Sequence, residues 1–242
     1  WLKLPVRAAM HSHGAHVEGE AMSQETPSDD SLVGLLKGVE DFSRNVFPET
    51  QQLFSELAEG QSPHTLFITC ADSRVVPEMI TQTQPGELFV CRNIGNIVPG
   101  YGEMLGGVSA VVEFAVAVLR VRQVVICGHT DCGAMKGLLN PESTKDLPTV
   151  TAWLRNAEAA KSAVFARKLE GADAMAAVIQ ENVRLQLAHL RTHPAVAAAR
   201  ANNAITLQGW VYDIGNGTVS VLDQASDRFV ALAEAIGRKN AG

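Results

Sequence analysis

The sequence predicts an α/β fold: a central, mostly parallel β-sheet flanked by helices, with a helical arm at the N-terminal side and a hairpin and helix at the C-terminal side. Three observations carry this expectation. The runs TLFITC (65–70), ELFVCR (87–92) and QVVICG (123–128) have strand length and are apolar throughout, the pattern of strands buried on both faces of a parallel sheet. Segments with helical spacing of apolar residues separate them, as crossovers between parallel strands require. Near the end, AITLQGWVYDI and TVSVLD lie either side of GNG and read as a hairpin.

In chain order, residues 1–30 are polar, with HSHGAHVEGE and SQETPSDD, and are expected to form a flexible arm; His11, His13 and His16 sit in it. Residues 31–242 are expected to form a single domain. Apolar residues at helical spacing from Ser31 to Gly60 predict two helices broken before Pro48, with Gly60 as a stop. EMLGGVSAVVEFAVAVLR (103–120) predicts a helix buried against the sheet and crossing between the second and third strands. After Pro148 the Ala-rich chain reads as helical through Arg200, and a last helix is expected over 227–239.

Composition narrows the function. With 242 residues and 46% hydrophobic content the chain can bury a full core. A formal net charge of −6 and a pI near 5.6 leave no sequence-wide basic excess, so nucleic acid is not an expected partner. No apolar window reaches membrane-spanning length, and the first ten residues lack the continuous apolar stretch of a secretory signal. Four cysteines, Cys70, Cys91, Cys127 and Cys132, are too few for a disulfide scaffold. A reducing cytoplasm is the expectation, with metal ligation the alternative use for thiols.

Ligands of open parallel sheets gather at the carboxyl ends of strands. Cys70 closes the first strand, and GHTDCGAMKG (128–137) follows the third. His129 and Cys132, separated by two residues across a strand-to-helix turn, would join Cys70 in a Cys2His set with one position open. Thiolates and an imidazole suit zinc better than cations that prefer oxygen. By spacing alone, small buried core cysteines remain the competing explanation. In CADSR (70–74), alternation at period two would place Cys70, Asp72 and Arg74 on one side of an extended segment.

CADSRVVP, QPGELFVCRNIGN and GHTDCGAMKGLL together resemble the signature blocks of the β-class carbonic anhydrases, strongly over about residues 60–140 and in layout to the C-terminal hairpin. The resemblance implies reversible hydration of CO2 to bicarbonate and a proton by zinc-bound hydroxide. It assigns one Zn2+ per subunit to Cys70, His129 and Cys132, and the catalytic pair to Asp72 and Arg74. Zinc lowers the pKa of bound water from about 15.7 to about 7 in a three-histidine carbonic anhydrase, the established reference case. Two thiolates make the ion formally neutral, so Asp72 and Arg74 are expected to help orient the attacking oxygen. Gln61, Phe89, Phe114 and Gly133 are implied as the substrate pocket, with Phe114 where a Tyr is common. Gly128 and Gly133 bracket the His-Cys turn, where a side chain is expected to crowd the metal or strain the backbone. Phe67 stands where members with a non-catalytic bicarbonate site carry Trp, which favours the plant-like, constitutively open subtype. Residues 31–60 are implied as a dimerisation arm, and a homodimer or higher homo-oligomer would share Gln61 and the Phe wall between subunits. Cys91 and Cys127 are expected in the core, and His64, His189 and His193 at the surface, with proton shuttling the alternative role for these histidines. The alternatives are a hydrolase of carbon disulfide or carbonyl sulfide on the same site, and a non-catalytic zinc-stabilised module.

Overall fold

The computed structural model describes residues 29–102 and 106–240. The arm expected at 1–30, with its three histidines, lies outside the described residues except for positions 29 and 30, which open the first helix. Contacts divide the chain into Trp1–Glu56 and Leu57–Gly242. In the first unit, α1 (Asp29–Asp41) leads through a π-type turn, Phe42–Val46, into α2 (Phe47–Glu59), so the expected break before Pro48 is a widened turn. The Phe47 N–H reaches back to the Phe42 carbonyl, and Pro48, which has no N–H, follows where the helix restarts. Phe42, Phe47 and Phe54 pack ring against ring with centroids 5.5 to 6.2 Å apart. Leu32, Leu35, Leu36 and Val39 of α1 are exposed.

The second unit runs β1 (Thr65–Cys70), α3 (Pro77–Thr81), β2 (Leu88–Asn93), α4 (Gly107–Glu113), β3 (Gln123–His129), α5 (Gly133–Leu139), α6 (Pro148–Leu154), α7 (Glu158–Ala166), α8 (Gly171–Leu190), α9 (Pro194–Ala201), β4 (Thr206–Tyr212), β5 (Val219–Asp223), β6 (Arg228–Ala231) and α10 (Leu232–Asn240). The first three strands match the apolar runs to within a residue. The helix expected over 103–120 is described from Gly107 and passes into a π-type stretch at Phe114–Val118. It buries Val112, Ala115 and Val116 but leaves Phe114 and Val118 exposed. The final helix starts at Leu232 rather than 227, because Arg228–Ala231 pairs antiparallel with β5. The turn that folds it back is built on Asp223, whose carboxylate accepts the Ala225 N–H and the Ser226 hydroxyl.

The six strands lie in the order β2-β1-β3-β4-β5-β6. The first four are mutually parallel, and β4, β5 and β6 are antiparallel neighbours. From β1 the chain goes to β2 on one side and then crosses to β3 on the other. Connections leaving β1 and β3 therefore part in opposite directions, which opens a crevice at their carboxyl ends.

Alternation along the strands separates two clusters. Leu66, Ile68, Val124, Ile126 and Leu207 join residues of α4 to α9 in the main core, while Phe67, Val125 and Cys127 form a smaller cluster with Trp210 and Tyr212. Helix α8 lies so close to the sheet that a Cβ at Gly209 would come within 2.8 Å of Val183 Cγ1 and 2.9 Å of Leu187 Cδ1. Gly209→Ala should therefore destabilise the protein by about 1–3 kcal/mol through overpacking. Urea unfolding checks this, and an unchanged midpoint would mean that α8 lifts without resistance.

Candidate metal centre

The two central strands deliver the chemistry. Cys70 is the last residue of β1 and His129 the last of β3. The turn that follows places Asp131 at φ 59, a left-handed conformation that short polar side chains tolerate, and brings Cys132 back to the start of α5. The ligating atoms of Cys70, His129 and Cys132 all lie within 4.8 Å of one another, and all three residues are buried.

The electrostatics of this cluster call for a cation. His129 Nδ1–H donates to the Thr130 carbonyl at 2.8 Å, which leaves Nε2 as the acceptor, and Nε2 is buried without a partner. The two sulfurs titrate together. The bond from Cys132, the largest cause, and the Gly95 amide hold the Cys70 sulfur well below the usual thiol range, whereas that same pairing, with burial, pushes Cys132 up. A second anionic sulfur in this buried space needs a positive charge beside it. Two sulfurs and an orphaned imidazole nitrogen are the donor set of a borderline-soft divalent metal.

Asp72 and Arg74 reach the cluster by a different route from the extended alternation expected of CADSR. The strand ends at Cys70, and Asp72 Oδ1 accepts the Arg74 backbone N–H at 3.0 Å, a turn that folds Arg74 back onto it. Arg74 then grips the carboxylate through both oxygens, Nε to Oδ1 at 2.9 Å and Nη2 to Oδ2 at 2.8 Å. Asp72 Oδ2 lies 3.9 Å from His129 Nε2. The Arg74 hydrogen bonds hold this carboxyl well below the usual carboxylate range.

Several neighbours escaped sequence reasoning. Arg92, on β2, donates to the Cys70 carbonyl at 3.2 Å and to the Asp72 carbonyl at 2.6 Å, stapling the backbone that carries both side chains. Asp131 accepts Arg74 Nη1 at 3.0 Å and pairs with Lys136, steadying the guanidinium from outside. Gly95, at φ +77, points its N–H at Cys70 Sγ at 3.4 Å, and a Cβ there would meet Ala134 Cβ at 3.0 Å. The readable signal was RNIGN, a cation and a glycine at the end of a strand adjacent to β1.

A family model described as "Carbonic anhydrase" matches residues 65–219, which contain all three potential ligands. The structure also superposes on that of the β-carbonic anhydrase CcaA with a TM-score of 0.81 and 41% identity, over 84% of this chain and 92% of the other. The chain belongs to the β-carbonic anhydrase family. A carbonic anhydrase of Pseudomonas aeruginosa is 52% identical over 201 residues, 83% of this chain and 91% of the relative. Carbonic anhydrase 1 of Escherichia coli O157:H7 is 50% identical over 200 residues, 82% and 91% of the two chains. One of two tetrameric β-carbonic anhydrases from Sordaria macrospora aligns at 28% identity and a TM-score of 0.73, over 84% of this chain and all of the other.

The pocket residues expected of this carbonic anhydrase are placed unevenly. Phe89 and Phe114 come together, ring centroids 6.0 Å apart and planes at 33°, with Phe114 exposed at 44%. Gln61 is exposed ahead of β1, so the six residues of that strand, at roughly 3.3 Å each, separate it from Cys70. Neither glycine has a positive φ, so the backbone-strain half of the expectation is corrected. A Cβ at Gly133 would meet nothing within 4 Å, and one at Gly128 would press on Val183 at 3.0 Å and Ile179 at 3.3 Å, which belong to α8. Cys91 and Cys127 are buried as expected, Cys127 pushed up to about 12 by complete burial. His193 is buried rather than at the surface, with Nε2–H bonded to the Pro99 carbonyl at 3.0 Å, and His189 Nδ1–H reaches the Val98 carbonyl at 2.8 Å.

Proposed function

We propose that this β-carbonic anhydrase converts CO2 and water to bicarbonate and a proton, reversibly, at one zinc ion per chain held by Cys70, His129 and Cys132, with Asp72 and Arg74 as the catalytic pair. The observation that carries the reading is the position of Asp72, with one oxygen 3.9 Å from His129 Nε2 while Arg74 grips both. Zinc, which Cys2His sets suit, supplies the Lewis acidity that makes water a nucleophile near neutral pH.

The chain's own groups do the rest. Asp72, kept ionised by Arg74, accepts a hydrogen bond from the attacking water and so turns an oxygen lone pair toward carbon. Arg74 is itself fixed by Asp131, so the carboxylate does not swing toward the ligands. Phe89 and Phe114 form an apolar wall suited to CO2, which needs no hydroxyl partner. Gly133 leaves space at the head of α5 for substrate. The side-chain amide of Gln61 would donate to a CO2 or bicarbonate oxygen in the pocket of a second copy, since its own strand holds it away from its own ligands.

This division of the pocket makes the active form a homodimer or a larger homo-oligomer, with residues 31–60 as the embracing arm. The exposed apolar side chains of α1 fit that role, and a Sordaria relative is described as tetrameric. Phe67 is 1% exposed and packs edge-on to Trp210 with centroids 5.8 Å apart, which leaves little room for an anion there and favours the open subtype. Among the described residues no helix is long and apolar enough to cross a membrane. Four free cysteines fit a reducing compartment such as the cytoplasm.

Stopped-flow CO2 hydration before and after treatment with a chelator tests the reading. Activity should vanish with the metal and return in proportion to added zinc. A rate indifferent to chelation, or a folded preparation that takes up no metal, would sink it.

A further inference from the structure

Helix α8 buries Val178, Ile179, Val183, Leu187 and Leu190, yet between them it also buries two amides, Asn182 at 1% and Gln186 at 0% exposure. Buried amides are costly unless every bond is made, and these are spent chiefly on one stretch of backbone, with Gln186 Nε2 also reaching the Asn156 carbonyl at 3.4 Å. Asn182 Nδ2 donates to the Gly95 carbonyl at 3.0 Å. Its Oδ1 accepts Gln186 Nε2 at 2.8 Å, which fixes the direction of the amide. Gln186 Oε1 accepts the Val98 N–H at 2.9 Å, and His189, one turn on, bonds the Val98 carbonyl. Residues 182, 186 and 189 thus form a row on one helix face that grips the segment following β2.

Within that segment Gly95 has its N–H on the sulfur of Cys70 and its carbonyl on Asn182. The two groups belong to the peptide planes on either side of one α-carbon, held at φ +77 and ψ 22. Freeing the carbonyl frees ψ and, through a glycine whose backbone has many accessible conformations, the aim of the N–H. An N–H bonded to a thiolate withdraws charge from it and weakens its donation to a metal.

We propose that Asn182 is a positioning residue for the metal centre: by holding the Gly95 carbonyl it aims the Gly95 amide at Cys70 and sets the donor strength of that sulfur. The inference rests on the reading that Cys70 ligates a metal. It concerns a residue on a helix that supplies no ligand.

The test uses the full-length protein with cobalt(II) in place of zinc, read by its sulfur-to-metal charge-transfer absorption and by competition with a chelator. In Asn182→Leu, close in shape but without a donor, the band should move to longer wavelength as the sulfur becomes more electron-rich. Cys70 also loses the partner that orients its sulfur, and this outweighs the stronger donation, so metal affinity should fall by about 10–100-fold. Gln186→Met, which unlocks the Asn182 amide without removing it, should give a smaller shift of the same sign, and it serves as the deciding variant should Asn182→Leu fail to fold. Gly209→Ala disturbs the packing of α8 without touching this row, and its band should stay in place. A folded Asn182→Leu, or failing that Gln186→Met, with the wild-type band and affinity would overturn the inference while the metal reading stands. A wild-type protein with no sulfur-to-cobalt band would overturn both.

Discussion

Asp72→Asn should slow CO2 hydration by about 10²–10⁴-fold, the range for losing a positioned acid–base group, while zinc content stays at that of the wild type. The substitution keeps the shape but removes the charge that Arg74 holds through two bonds. It also turns an acceptor into a partial donor beside His129 Nε2, so the attacking water loses its orienting partner. A loss smaller than about threefold would remove Asp72 from the mechanism. Arg74→Met provides the matching pH experiment. Because the native pKa of Asp72 is depressed, the ionised form persists as pH falls through the ordinary carboxylate range, about 4, and is lost only below it. Without Arg74 that pKa rises toward 4, so the variant should lose activity more steeply than the wild type as pH drops from about 5 to 3. The wild type, whose rate falls there only as its bound water takes up a proton, should lack this second limb.

Cys132→Ala should abolish activity by abolishing the metal. It removes one of two sulfurs from a cluster whose donor atoms lie within 4.8 Å of one another, leaving a Cys-His pair. Loss of a hydrogen-bond partner to a ligand already costs about 10–100-fold in metal affinity, and loss of a ligand should cost more. After dialysis, metal analysis should find well under one equivalent, with hydration at the uncatalysed rate. Far-UV circular dichroism should match the wild type. Full occupancy and activity in this variant would exclude Cys132 as a ligand.

Much of the architecture was written in short apolar runs. TLFITC and QVVICGH are central strands, six and seven residues long and almost wholly buried, and such strands leave little room for another interpretation. RFVA was read as the start of a helix because four residues carry no clear period, and only its pairing with β5 makes it a strand. The three potential ligands were legible because two strand ends and one turn gather them. Arg92 and Gly95 were not, since their roles depend on β2 lying beside β1 in a register that pairs Cys70 with Asn93. Asn182, Gln186 and His189 lie at helical spacing in an Ala-rich segment, but nothing in the sequence singled them out as a row, and His189 was expected at the surface. What the sequence could not give was the segment the row faces, 87 positions earlier in the case of Gly95.

The sheet ladder between β1 and β3 runs Thr65 with Gln123 through Thr69 with Cys127, ending one residue short of Cys70. Sulfur and imidazole are thereby mounted on neighbouring rungs of a rigid frame rather than on loops that a cation must fold around itself. Loading the ion should then resemble docking into a finished mould. Removing it should leave a folded vessel that refills, unlike small zinc domains that collapse when stripped.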